Sequence, residues 1–320
     1  MSAPLVFGVF PLGIAGGPDG VASGPPDDFA AIGRAVRELQ GDGPALLPRM
    51  YVLWSGADST AAVNEQIVAL TAGGVPWDLV LCYRDPGADV AAWAAFVAQV
   101  VERHGRTLSA VQVTGEPNLT WGGAAADGAF PGVRDALVQG VLAGAAAKRA
   151  AGATAAIGFA VTPDIDPAAS RFWSEIRQSG GPSFAAALDY AGIDIYPDVF
   201  GPRVSLDALP GTVERLLRDF RERELATAGI PASVPIRICE NGWPTGPDRP
   251  EQQQAAVLEV IIRTVHRLRA ELNVTHWQLF TLRDADSSKE DLFHQFGVLR
   301  SDYSPKPAFD TLRRLIAELG

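Results

Sequence analysis

Short apolar runs and longer stretches of helical periodicity alternate along the chain with little interruption. Runs dominated by apolar and β-branched residues fall at 5–10, 45–54, 77–83, 109–115, 155–161, 190–196, 234–239 and 274–281. Their near-continuous hydrophobicity is that of parallel strands buried on both faces. Between and after them, helices are predicted near 27–39, 60–72, 89–104, 131–151, 167–178, 205–228, 250–272 and 305–319. In the seventh, Leu258, Ile261, Ile262, Val265 and Leu268 share one face. Asp248 with Glu251 reads as a capping box for that helix, and Ser304-Pro305 as the N-cap and first turn of the last.

A strand followed by a helix, eight times over, predicts a (β/α)8 TIM barrel of the α/β class. No low-complexity linker divides the chain, so residues 1–320 are expected to form a single barrel domain. Barrels present their chemistry at the C-terminal ends of the strands. Those ends read, in order, Phe10, Trp54, Tyr83-Arg84, Glu116, Thr162, Tyr196, Glu240 and the region from Phe280 to Asp284. Two glutamates therefore stand at the ends of strands four and seven.

Ile236 and Ile238 share the pleat parity of Glu240, and Gln112 and Thr114 that of Glu116, which aims both carboxyls toward the barrel axis. Facing carboxyls about 5–5.5 Å apart are what retaining glycoside hydrolysis requires. One must hold its proton near neutral pH to protonate the leaving oxygen, while the other stays ionised as the nucleophile. Tyr196 is a candidate donor to the second. Trp54, Trp121 and Trp243 follow strand ends two, four and seven, and aromatic faces there suit the apolar face of a sugar ring. Asn118 and Arg84 beside the strand ends, with Trp277 and Phe280 on strand eight, complete the candidate substrate contacts. Each has a plainer alternative: a solvated charge for either glutamate, a helix-facing core residue for Trp54, packing for Trp121 and Trp243, and a buried structural tyrosine for Tyr196.

Four segments carry a resemblance. GEPN, 115–118, resembles the Asn-Glu-Pro segment of the clan of retaining (β/α)8 glycoside hydrolases (clan A), whose catalytic glutamates follow strands four and seven. ENGWPTG, 240–246, and DIYPDVF, 194–200, resemble segments of the β-1,3-glucanase family, family 17. GVLRSDYSPKPAF, 297–309, resembles an ending common to several families of the clan, family 39 and family 5 members among them. The resemblance implies that Glu116 is the acid/base, Glu240 the nucleophile and Tyr196 a site residue. It departs from the clan at Gly115, where relatives carry an asparagine that holds the sugar's 2-hydroxyl, and at strand eight, where Phe280 stands in place of a tryptophan. The activity implied is retaining cleavage of a β-linked oligosaccharide or small glycoside. A carbohydrate-binding barrel with weakened catalysis, or a transglycosidase, is the alternative that Gly115 motivates.

Composition narrows the partners. A net charge of −10 argues against nucleic acid and anionic membranes. No stretch reaches the roughly 18 apolar residues of a membrane span. The start, MSAPLVFGVFPLG, has no basic leader region and reads as a first strand, so a cytoplasmic monomer acting on carbohydrate is expected, or a secreted protein whose leader has been removed. Cys82 and Cys239 fall on core strands, which excludes a disulfide framework. His104 and His266 lie on helices, His276 and His294 are far apart in sequence, and there is no His-x-His, so no metal is expected. Lys148, Lys289 and Lys306 all lie off the predicted strands, which leaves a Schiff-base enzyme without its nucleophile. No Gly-x-Gly-x-x-Gly follows a strand and there is no P-loop, so no cofactor is expected. Asp284, Asp286 and Asp291 read as a solvated acidic loop, with a cation site as the alternative, and the Gly- and Pro-rich segment 12–26 as a loop closing one end of the cleft.

Overall fold

The computed structural model describes residues 4–121, 123–164 and 170–320. Its strands are β1 (Val6–Phe10), β2 (Leu47–Trp54), β3 (Asp78–Tyr83), β4 (Ala110–Gly115), β5 (Ala156–Val161), β6 (Tyr190–Ile195), β7 (Ile236–Asn241) and β8 (Val274–Phe280). All eight join in sequential order into one closed barrel, with β1 against both β2's end of the order and β8. The pairings of β1 with β8 and of β2 through β6 are parallel. The helices are α1 (Phe29–Gln40), α2 (Thr60–Thr71), α3 (Val90–His104), α4 (Val133–Ala151), α5 (Phe172–Ala187), α6 (Leu209–Asp219), α7 (Glu251–Leu272) and α8 (Pro307–Leu319). This is the predicted (β/α)8 barrel, and every strand boundary lies within a few residues of its expected place.

The chain divides into two compact units. One comprises residues 1–47, 194–218 and 237–320, with β1, α1, α6, β7, α7, β8 and α8. The other comprises 48–193 and 219–236, with β2 to β5, most of β6, and α2 to α5. In the second unit, β3, β4 and β6 are buried along their whole length, as strands walled by helices must be. Arg49, fully buried, is ion-paired with Asp78 at 2.8 Å and donates to Gln112 and to the Tyr51 hydroxyl. A buried guanidinium is tolerated only with partners of this kind.

Several local expectations are corrected. Helix α7 begins with Pro250 in the cap position and no side-chain cap, because Asp248 belongs to the preceding turn between Gly246 and Arg249. Helix α8 begins at Pro307 behind Lys306, while the Ser304 hydroxyl is taken by Asp302. The helix predicted over 205–228 is α6 followed by a π-helical turn, Phe220–Glu224, and one more short turn. Of the helix expected at 167–178, residues 167–169 lie outside the described residues, and α5 runs on to Ala187 past a break at Gly181 before Pro182. The 12–26 segment is no plain loop. Ile14–Gly17 and Gly20–Ser23 pair antiparallel around Pro18-Asp19. Among the described residues no helix is long and apolar enough to cross a membrane.

Candidate active site

In the first unit the seventh strand is pinned at its C-terminal end from both sides. Asn241, fully buried, donates to the Ile195 carbonyl at 2.7 Å and accepts the Trp277 indole N–H at 3.2 Å. Glu240, one residue earlier, is half-buried, and its Oε2 accepts the Tyr196 phenol at 2.6 Å. The expected donor is therefore the observed one. Asp194, two residues before Tyr196 on β6, is buried with a carboxylate oxygen within 4.8 Å of one on Glu240. The next residue along, Gly242, has no freedom to be anything else: a Cβ there would collide with the Phe280 carbonyl oxygen.

Two sequence segments with no connection in the primary structure are joined here. Besides the Tyr196–Glu240 bond, Asp198 Oδ2 accepts the Trp243 indole N–H at 3.0 Å. Trp243 is fully buried, with the Arg249 guanidinium 4.6 Å and that of Arg203 5.7 Å from its ring centre. No face is left for a sugar, so its expected role as a platform is corrected to packing. Trp277 is likewise buried against Phe7 and spends its only donor on Asn241. Phe280 is half-buried. It stacks on Phe10 at 5.5 Å and meets Tyr196 and Phe296 edge-on.

The tail segment belongs to the same construction. Lys306 is buried and donates to Asp284 at 2.7 Å and to the Thr245 hydroxyl at 2.9 Å, tying the loop after β7 to the loop after β8. Burial pushes the Asp284 carboxyl up and the Lys306 ammonium down, each opposed by the other's charge. Asp284 is thus an internal ion-pair partner, which corrects its reading as part of a solvated acidic loop. Asp291 is exposed and Asp286 half-buried.

In the second unit the fourth strand ends in a distortion. The β4–β5 register shifts between Gln112 and Gly115, and Thr114 and Glu116 both adopt left-handed backbone, at φ 66° and 46°. A β-branched residue in that region is a genuine outlier, and such strain gathers at functional sites. Glu116 itself is 9% exposed. Gly115 lies between the two left-handed residues, yet a Cβ on it would meet only ordinary contacts with Cys82 and Asp127. Nothing in the backbone demands glycine there.

Around this end the expected contacts divide. Asn118 pairs with Thr162 as another rung of the ladder, donating to its carbonyl at 2.8 Å and accepting its N–H at 3.1 Å. Arg84 is ion-paired with buried Asp127 and donates to the carbonyls of Gly123 and Ala124. Trp121 is 59% exposed. Trp54 is corrected to a core residue: it is fully buried among Tyr83, Trp93 and Phe96, and its indole N–H goes to Thr60. Asp194, which shares the parity of Tyr196 and is expected from it to be a buried carboxylate, is buried. Asp127, in a loop of Ala and Gly, has no signal in the sequence.

No protein-family model matches the chain, and no curated protein matches it in sequence. Its fold is similar to that of solved structures. A family 1 β-glucosidase from Thermotoga maritima superposes with a TM-score of 0.65 at 12% identity, covering 100% of this chain and 99% of that one. A family 39 glycoside hydrolase from the gut symbiont Bacteroides cellulosilyticus WH2 gives 0.62 at 16% identity, covering 99% and 64%. A β-glucuronidase from an uncultured Clostridium sp. gives 0.63 at 12% identity, with 99% of this chain spanning 51% of that one. At such identities the likeness is one of fold, and the fold it identifies is the (β/α)8 barrel on which those glycosidases are built.

Proposed function

We propose that the protein is a retaining β-glycosidase in which Glu240 is the nucleophile and Glu116 the acid/base. The observation that carries this reading is the hydrogen bond from the Tyr196 phenol to Glu240 Oε2. A phenol donating to a carboxylate makes a short, charge-assisted hydrogen bond that holds the carboxylate in one orientation at the strand end. In the proposed reaction, Glu240 attacks the anomeric carbon while Glu116 protonates the departing oxygen. Glu116 then takes a proton from water, which releases the sugar from Glu240 with its configuration retained. The strand positions, fourth and seventh in a closed barrel, the four motif segments and the glycosidase neighbours all support this assignment. The substrate class is a β-linked oligosaccharide or small glycoside.

A panel of activated aryl β-glycosides tests it, run on the wild type, Glu240→Ala and Glu116→Ala. The wild type should turn over at least one substrate and release the β-anomer first. Both variants should lose activity; azide should restore turnover in Glu116→Ala with the β-glycosyl azide as product, whereas any rescue of Glu240→Ala should give the α-glycosyl azide. An α-anomer as first product, or full activity in Glu240→Ala, would end the assignment. The second reading, a carbohydrate-binding barrel, rests on Gly115, which brings no side chain to the sugar's 2-hydroxyl. Sugar binding without turnover of any substrate is its signature.

A further inference from the structure

The proposed acid/base stands on a strained piece of backbone, and one buried side chain outside the catalytic assignment holds that piece in place. Thr114 and Glu116, both left-handed, flank Gly115. Conformations of this kind are strained and persist only where surrounding structure enforces them. The interstrand register between β3 and β4 is regular up to the rung Leu81–Val113. Beyond it, Asp127 takes over. Its Oδ2 accepts the Tyr83 N–H at 2.7 Å and the Gly115 N–H at 2.6 Å, so one oxygen bridges the two strand ends. Its own N–H donates to the Gly115 carbonyl at 2.7 Å. Both polar backbone atoms of the residue before Glu116 are thus gripped by one side chain and its own backbone.

Asp127 is in turn held. It has no exposed surface, and its Oδ1 lies 2.8 Å from Arg84 Nε, while the two Arg84 Nη groups bind the carbonyls of Gly123 and Ala124 in the same loop. Burial pushes the Asp127 carboxyl up to about 7, against the pull of Arg84 and of the two amide N–H groups. A buried carboxylate with an ion pair is an expensive way to close a loop, and a neutral residue would close it at lower cost. What the carboxylate supplies is an acceptor strong enough to hold two amides that the distorted strand has removed from the ladder.

We infer that Asp127, fixed by Arg84, is a positioning residue for Glu116: by clamping both sides of Gly115 it sets the direction from which the Glu116 carboxyl delivers its proton. This rests on the reading of Glu116 as acid/base, and the experiment separates the two. A misplaced general acid costs rate in proportion to how much help the leaving group needs. The kcat/KM for a phenyl β-glycoside and for a dinitrophenyl β-glycoside of the same sugar is measured in Asp127→Asn, Glu116→Ala and the double variant. In Asp127→Asn the phenyl substrate should slow by about 10- to 100-fold, the dinitrophenyl substrate by less than about threefold. In the Glu116→Ala background, Asp127→Asn should add nothing.

If Glu116→Ala raises the sensitivity to the leaving group while Asp127→Asn slows both substrates equally, or multiplies the loss in the double variant, the positioning role is overturned and Glu116 keeps its own. If neither variant changes that sensitivity, the assignment of Glu116 falls and the positioning role with it. Thermal unfolding monitors whether Asp127→Asn folds. Should it not, Arg84→Gln leaves both grips on Gly115 in place but frees the clamp, and is expected to give the same leaving-group pattern at a smaller amplitude; equal loss on both substrates overturns the inference there too.

Discussion

The Tyr196 hydroxyl lies 2.6 Å from Glu240 Oε2 and donates to it, joining the end of the sixth strand to the end of the seventh. Asn241, donating to the Ile195 carbonyl, and Trp243, donating to Asp198, join the same two segments. The Tyr196 bond touches a half-buried carboxylate and the Trp243 bond lies wholly in the interior. Their consequences on mutation should therefore differ in kind.

Removing the phenol hydroxyl with Tyr196→Phe deletes a hydrogen bond to a charged group, worth about 1.5–3 kcal/mol. The ring and its contacts with Phe200, Phe280 and Phe296 remain. We expect kcat to fall by roughly 10- to 100-fold, with a loss of stability no larger than about 3 kcal/mol. Steady-state kinetics paired with urea unfolding checks this, and a stability loss without a rate loss would make Tyr196 a structural residue.

The two tryptophans after strands four and seven should separate cleanly. Trp243→Ala empties a packed site between two guanidinium groups and should cost about 3–5 kcal/mol. Trp121, at 59% exposure, should change stability by less than about 0.5 kcal/mol when replaced by Ala, with any kinetic effect confined to KM. Equal destabilisation by the two would contradict the packing described above.

Lys306 and Asp284 form an ion pair without exposed side-chain surface, at 2.7 Å. Lys306→Met leaves Asp284 buried and uncompensated, for an expected loss of about 3–5 kcal/mol. Adding Asp284→Asn should recover much of it, because the lone charge is then gone. Urea titration of the two variants decides, and a double variant no more stable than Lys306→Met would show that packing, not charge, sets the cost.

Glu224 supplies a pH dependence. Burial raises its carboxyl from 4.5 to about 7, opposed by the Asp164 N–H and reinforced by the charges of Asp164 and Asp219. The folded protein then keeps a proton that the unfolded chain has released. Stability therefore falls as pH rises from about 4.5 to about 7 and levels off above. Asp127 contributes in the same sense. Glu224→Gln should reduce this slope by at most about 3 kcal/mol across the window, read from thermal unfolding at several pH values. A curve parallel to that of the wild type would count against it.

The primary structure determined the barrel, because strands buried on both faces must be written as unbroken apolar runs and the intervening helices as periodic ones. It also determined where the candidate chemistry stands: Glu116 and Glu240 follow from counting strands, and the Tyr196–Glu240 bond from side-chain parity on neighbouring strands. Tertiary structure alone decided the rest. Trp54, Trp243 and Trp277 are candidate substrate contacts in sequence and core residues in the fold, since an indole's exposure is set by what packs on it from distant segments. The left-handed turn at Thr114 and Glu116 broke the simple alternation of strand four, and no local pattern announces a bulge that its neighbours impose. Asp127 is the extreme case. In sequence it is one acid in a loop of small residues, and it becomes an anchor only when folding brings the N–H groups of Tyr83 and Gly115, 44 and 12 residues away, to the same carboxylate oxygen.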